Sequence, residues 1–148
     1  MKTAIVYYST HHENTKKLAE AIAKECGADL FNILESADID LSGYDIIGLA
    51  SGIYYGKFGA ELIDFAKEKL PENRKVFFLY SCGRKRKGLT DAIKEAAESR
   101  SCRVIGEFGC NGWDTYGPFR LIGGINKQRP DDRDADAAVR FFNEISAL

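Results

Sequence analysis

Three runs of this chain are almost continuously apolar: Ala4-Ile5-Val6-Tyr7-Tyr8, Ile46-Ile47-Gly48-Leu49-Ala50 and Val76-Phe77-Phe78-Leu79-Tyr80. Runs of that kind are expected of parallel strands covered on both faces, and they leave few architectures open. With their flanks the strands read as Ala4 to Tyr8, Asp45 to Ala50 and Val76 to Ser81, joined by weaker ones at Leu30 to Leu34 and Val104 to Gly109. Helical stripes lie between them. Leu18, Ala19, Ile22, Ala23 and Cys26 mark one, closed by Gly27. Leu62, Phe65, Ala66 and Leu70 mark a second, stopped by Pro71. Leu89, Ala92, Ile93, Ala96 and Ala97 mark a third. Ala135, Ala138, Val139, Phe142 and Ile145 mark the last, preceded by Pro130-Asp131-Asp132. Only Glu35 to Gly43 lacks a helical pattern and has room for no more than a short crossover. The expected fold is α/β, a doubly wound five-stranded parallel sheet built from right-handed βαβ units.

At 148 residues and 45% hydrophobic, the chain reads as a single domain spanning residues 1–148 with a substantial core. No apolar run approaches the ~20 residues of a membrane span, and the first breaks at Ser9. Cys26, Cys82, Cys102 and Cys110 form no Cys-x-x-Cys pair, which suits a reduced cytoplasmic protein. A formal net charge of −1 excludes a strongly basic nucleic-acid binder. The charge is uneven: residues 1–74 carry 8 basic and 12 acidic groups, residues 75–148 carry 13 and 10.

Ligands of an open α/β sheet bind beyond the carboxyl ends of its strands, where strand order reverses. Three segments follow such ends. Ser9-Thr10-His11-His12-Glu13-Asn14-Thr15 sets hydroxyls and loop N–H groups against a helix N-terminus, a cradle for phosphate. It lacks the glycines of a dinucleotide fingerprint and the Gly-Lys of a P-loop, so a phosphate monoester fits better than NAD or ATP. The second segment, Ser51-Gly52-Ile53-Tyr54-Tyr55-Gly56-Lys57-Phe58, is aromatic and bracketed by glycines. The third is Ser81-Cys82-Gly83, running into Arg84-Lys85-Arg86-Lys87-Gly88. Together they make a slot for a flat, phosphate-bearing molecule. A fourth stretch, Cys110 to Pro130, lacks periodicity but holds Trp113, Tyr116, Phe119, Leu121 and Ile122, which favours a functional or packed loop.

These segments resemble the flavodoxin family along the whole chain. Family members open with a strand, Ser/Thr-x-Thr-Gly-x-Thr and a helix; here Asn14-Thr15 matches, the loop is one residue longer, and Glu13 stands where the family has Gly. Glu13 is expected to turn to solvent, since it would repel a phosphate dianion. The resemblance implies strand order 2-1-3-4-5 and FMN as cofactor. Its phosphate would be held by Ser9, Thr10, His11, His12, Asn14 and Thr15, with each His either touching the phosphate or merely exposed. Gly52, Ile53, Tyr54, Tyr55 and Gly56 would lie along the isoalloxazine, with Tyr54 or Tyr55 stacking and a glycine peptide accepting the reduced N5–H. Ser81, Cys82 and Gly83 would face the pyrimidine end. Trp113 would cover the other face or fill a local core. No metal site is expected, and no catalytic residue: Cys82 lacks a His or Asp partner in its motif.

The implied function is that of a soluble, monomeric electron carrier shuttling electrons between redox partners through the flavin semiquinone and hydroquinone. The alternative is a flavodoxin-domain oxidoreductase, either protoporphyrinogen oxidase-like, which the segment Ala50 to Phe58 also resembles, or an NAD(P)H-dependent quinone or FMN reductase. A response-regulator module is excluded because Ser9-Thr10 and Ser51-Gly52 stand where it needs acidic residues. Typical flavodoxins are strongly acidic, so Arg84-Lys85-Arg86-Lys87 is a departure. The run is either a solvated turn or a dock for an acidic redox partner or the 2′-phosphate of NADPH. Neither nucleic acid nor membrane is expected as a partner.

Overall fold

The computed structural model describes residues 1–9, 14–35, 38–112 and 129–148. In chain order the elements are β1 (Thr3–Tyr8), α1 (Asn14–Cys26), β2 (Asp29–Asn32), β3 (Ile46–Tyr54), β4 (Lys57–Phe58), α2 (Ala60–Lys69), β5 (Lys75–Cys82), α3 (Asp91–Glu98), β6 (Arg103–Asn111) and α4 (Asp132–Ile145). The sheet runs β2-β1-β3-β5-β6, with β4 paired to β3 off this path. Every pairing along the path is parallel, so the five main strands follow the expected order 2-1-3-4-5. The short strand β4 is antiparallel to the end of β3.

The apolar runs are buried on both faces. Val6, Ile47, Leu49 and Phe78 join Leu62, Phe65 and Ala66 of α2 and Ile93 and Ala96 of α3 in one cluster. Ile5, Ala50, Phe77 and Leu79 join Leu18 and Ile22 of α1 and Ala138, Phe142 and Ile145 of α4 in the other. Alternate residues of each strand therefore serve opposite cores, which is why no polar residue interrupts the runs.

The crossover from β2 to β3 shows no helix among the described residues. Instead Ile39, Leu41 and Tyr44 plug into the α2/α3 core. The Tyr44 hydroxyl donates to Asp29 Oδ2 at 2.6 Å, which pushes the Tyr44 pKa up to about 12. Four strand ends differ from the sequence reading. β2 ends at Asn32 instead of Leu34: the Ile33 N–H still donates to the Tyr7 carbonyl of β1 at 3.0 Å, but the Asn32 side chain takes the Leu34 N–H and starts a turn. β3 continues through Tyr54, so most of the expected aromatic loop is strand and hairpin. β5 and β6 extend to Cys82 and Asn111, so Ser81, Cys82 and Cys110 sit on strands.

The last helix starts as its sequence suggests. Asp131 accepts from the backbone N–H groups of Arg133 and Asp134, and Asp134 reciprocates on the Asp131 N–H. Arg129 clamps Asp134 through two bonds of 2.7 and 2.6 Å, and this guanidinium holds the Asp134 carboxyl below the usual range. Asp134→Asn is expected to destabilise the fold by roughly 1–3 kcal/mol at neutral pH. A depressed carboxyl contributes stability above its unfolded pKa of about 3.9 and loses it as pH falls through the folded value. The difference between denaturant melts of the two proteins should therefore begin to shrink below about pH 4 and close as pH falls through the lowered folded pKa. Gly48 tests the sheet packing, because a Cβ there would stand 2.5 Å from the Phe77 ring. Gly48→Ala should cost about 1–3 kcal/mol in the same melts.

Candidate functional site at the carboxyl edge of the sheet

Strand order reverses at β1, with β2 on one side and β3 on the other. The registers then bring the carboxyl ends of four strands level: Tyr8 pairs with Ser51, Gly52 with Ser81, and Cys82 with Asn111. The Gly112 N–H donates to the Cys82 carbonyl at 2.9 Å and extends this edge. α1 begins at Asn14, and no acidic residue occupies its first turn. Its N–H groups and positive dipole end are thereby left uncompensated by a carboxylate of the helix itself, the arrangement that favours an anion.

Thr15 is fully buried, and its hydroxyl lies 2.9 Å from that of Ser81, also buried. This bond joins the start of α1 to the end of β5. Two hydroxyls sharing one bond use one proton, so the second proton is directed at a further acceptor. Ser51 has a different task. Its Oγ accepts the Gly59 N–H at 3.0 Å and donates to the Gly52 carbonyl at 2.6 Å, fixing the end of β3 against the start of α2.

Tyr55 and Gly56 form the two-residue turn between β3 and β4, with φ of 54° and 82°. Positive φ at both positions is the type I′ hairpin geometry, which suits the twist of the paired strands. The two tyrosines diverge here. Tyr54 folds back, its ring 5.4 Å from that of Tyr8 and its hydroxyl 3.1 Å from where a Gly52 side chain would begin. Tyr55 is 99% exposed and presents an open ring at the tip. Of the other proposed ligands, Ser9, Asn14, Gly52, Ile53, Ser81, Cys82 and Gly83 all lie at or next to this edge. Thr10, His11, His12, Glu13 and Trp113 lie outside the described residues.

Reading the sequence missed three participants. The Tyr8 ring passes 2.4 Å from the position of a Cβ on Gly59, so only glycine fits where α2 starts. Ser51 ties that glycine down. Arg86 leans across to the hairpin, its guanidinium 2.7 Å from where a Gly56 side chain would begin. A serine directly after an apolar strand was the one available signal; the other two contacts join distant segments. All four cysteines are free, and burial with the Asp134 charge nearby pushes the Cys110 thiol up to about 12. Cys110 is thus a neutral thiol at physiological pH, unsuited to nucleophilic work. Cys102 is likewise buried, whereas Cys26 is half-buried and its thiol meets Asn143 of α4.

The family description "Flavodoxin domain" matches residues 5–112, from the first strand to the end of the last. The chain belongs to the flavodoxin family. An uncharacterized protein of Methanocaldococcus jannaschii is 36% identical over 147 residues and covers 98% of both chains. Flavodoxin 1 of Salmonella typhimurium is 29% identical over 161 residues, covering 96% of this chain and 92% of its own. The general stress protein 14 of Treponema denticola, solved in complex with FMN, shares the fold with a TM-score of 0.66 at 12% identity, covering 98% of this chain and 99% of its own. Doubly wound flavodoxin-like folds place FMN at the β1/β3 switch point, and family membership supports FMN as the cofactor of this chain. The donor set agrees: a first helical turn without acidic residues, paired hydroxyls and an exposed aromatic hairpin match a phosphate and a flat ring.

The Thr15–Ser81 bond is expected to couple the two positions. In a double-mutant cycle of Thr15→Val and Ser81→Ala, denaturation should give an interaction energy of about 1 kcal/mol. Additive losses would mean that the bond contributes nothing.

Proposed function

We propose that this chain is an FMN-dependent electron carrier working between redox partners. The observation that carries the reading is the β3–β4 hairpin at the switch point, which sets the exposed Tyr55 and the flexible Tyr55–Gly56 peptide at the same edge as the α1 N-terminus. FMN supplies reversible electron uptake, in one-electron or two-electron steps. The chain's own residues do the rest. The start of α1 and the Ser9 and Thr15 hydroxyls hold the phosphate. Tyr55 stacks on the ring and limits its contact with water. The Tyr55–Gly56 turn offers a backbone carbonyl to a protonated ring nitrogen, and glycine leaves that peptide free to reorient. Ser81, Cys82 and Gly83 orient the pyrimidine end through backbone groups. Four free cysteines suit the reducing interior of a cell as the place of work.

Among the described residues, no helix is long and apolar enough to cross a membrane, and no group of acidic, His or Cys side chains could hold a metal.

An anaerobic dithionite titration of the FMN-loaded protein tests the reading. A blue one-electron-reduced form should accumulate near half reduction. Direct bleaching in a single two-electron step would overturn the carrier assignment in favour of an oxidoreductase. Gly56→Val, which strains the positive φ, should lower the yield of the blue form several-fold while FMN remains bound. The cations after Gly83 should stabilise the fully reduced, anionic flavin. Arg84→Gln/Lys85→Gln is accordingly expected to move the second reduction potential in the negative direction by tens of millivolts in spectroelectrochemical titration.

A further inference from the structure

The Arg84-Lys85-Arg86-Lys87 turn is the feature that flavin binding leaves unexplained. All four side chains are exposed, and none takes part in a salt bridge found among the described residues. Four adjacent cations without a salt bridge raise the local potential, which salt screens and an anionic surface would meet. Their position is specific. The turn leaves the end of β5 directly after Gly83, and Arg86 reaches the tip of the hairpin at Gly56. Arg86 therefore joins the basic turn to the hairpin that carries the exposed Tyr55 ring, beside the edge where the cofactor would sit.

The relief of this surface is also suggestive of a protein contact. Two open clefts flank the turn, of about 470 and 510 Å³, and Lys85 lines both. In the first, Arg84 and Lys85 stand opposite a chain segment whose Arg129 is already neutralised by Asp134. Arg86 and Lys87 line the second, together with Asp91 and Glu107. Cations distributed over two open clefts suit an extended acidic face with projecting carboxylates, whereas a single phosphate needs groups converging on one point.

We propose that the Arg84–Lys87 turn and the adjoining β3–β4 hairpin form the docking surface for the acidic face of a one-electron redox protein. The partner's identity as an electron donor or acceptor rests on the carrier reading above; the electrostatic docking itself does not. Arginines and an exposed aromatic at such a surface match the composition of interface centres, while the lysines supply steering.

The probe is an acidic plant-type ferredoxin, with basic cytochrome c as its opposite, titrated calorimetrically into the oxidised, FMN-loaded protein. Ferredoxin binding should weaken at least about ten-fold as NaCl rises from about 10 to about 200 mM, within the range where the Debye length contracts across the contact. Arg84→Gln/Lys85→Gln/Arg86→Gln/Lys87→Gln should weaken it about ten-fold at low salt and flatten its salt dependence. The charge-preserving Arg84→Lys/Arg86→Lys should retain the salt dependence. Ferredoxin binding that is unchanged in the four-fold variant, or a preference of the wild type for cytochrome c, overturns the proposal. So does a variant that loses only NADP⁺ binding, which would make the turn a nucleotide-phosphate site. The dithionite titration on the same samples separates the two claims. Salt-dependent ferredoxin binding without a one-electron form refutes the carrier and keeps the surface, and the reverse result refutes the surface alone.

Discussion

One buried hydrogen bond sets the geometry on which the site depends. Thr15 and Ser81 are 66 residues apart, on α1 and β5, and their hydroxyls meet at 2.9 Å at the level where the strands end. The contact exists only because β1, β3 and β5 are in a register that brings Tyr8, Ser51 and Tyr80 side by side, with Gly52 and Ser81 one step beyond. A slip of one residue would turn every strand side chain to the opposite core and carry Ser81 away from the helix. The apolar runs forbid that slip, because both faces are already filled. Core packing thus places the start of the helix against the sheet edge. The hydroxyl pair then ties the start of the helix to the end of β5 at that edge.

Tight packing surrounds the edge. Tyr8 covers Gly59, Tyr80 covers Gly109, and Asn14 lies against Gly112, each at a distance no Cβ would tolerate. These close approaches draw aromatic rings down onto the backbone of neighbouring segments, so that they do not fill the space beyond the strand ends. Tyr54 behaves similarly, lying back toward Gly52 and Tyr8. Tyr55 is the exception, and its exposure follows from the turn. A type I′ geometry requires a left-handed residue at its first position, and the alternation of the β-strand then ends with that side chain directed outward.

Most of the fold was legible because burial on both faces leaves a strong mark. Runs such as Val76 to Tyr80 admit few other readings, and helices α1, α2 and α4 carry clear stripes. The strand boundaries were less legible, for a physical reason at each place. β3 runs on through Ser51, Gly52 and Ile53 because ladder pairing with β5 and β4 outweighs the poor strand propensity of Ser and Gly. Ile33 and Leu34 look like strand residues, yet beyond the bond from the Ile33 N–H to the Tyr7 carbonyl the Asn32 side chain takes the Leu34 N–H and starts a turn. The site was legible as three segments, and parallel topology alone brings their ends together. What could not be read was how they touch. The Thr15–Ser81 bond, the Ser51 link to Gly59 and the approach of Arg86 to Gly56 all depend on distances between segments remote in sequence.

The basic turn adds a constraint that the fold alone does not impose. β5 must hand over to α3, and the eight residues from Gly83 to Thr90 make that connection at the rim of the site. Leu89 anchors it in the core, and Gly88, at a φ of 88°, lets the backbone turn toward that anchor. Nothing in this route requires charge at positions 84–87, where any polar residue would serve. Cations there raise the potential exactly where electrons would enter or leave, and they do so on a chain whose net charge is −1. A reduced flavin gains negative charge, so the same residues that attract an acidic protein also favour the reduced cofactor. Docking of that protein would screen the cations and withdraw part of their stabilisation. Association and electron release would then be linked through one set of side chains, with no conformational change needed to connect them.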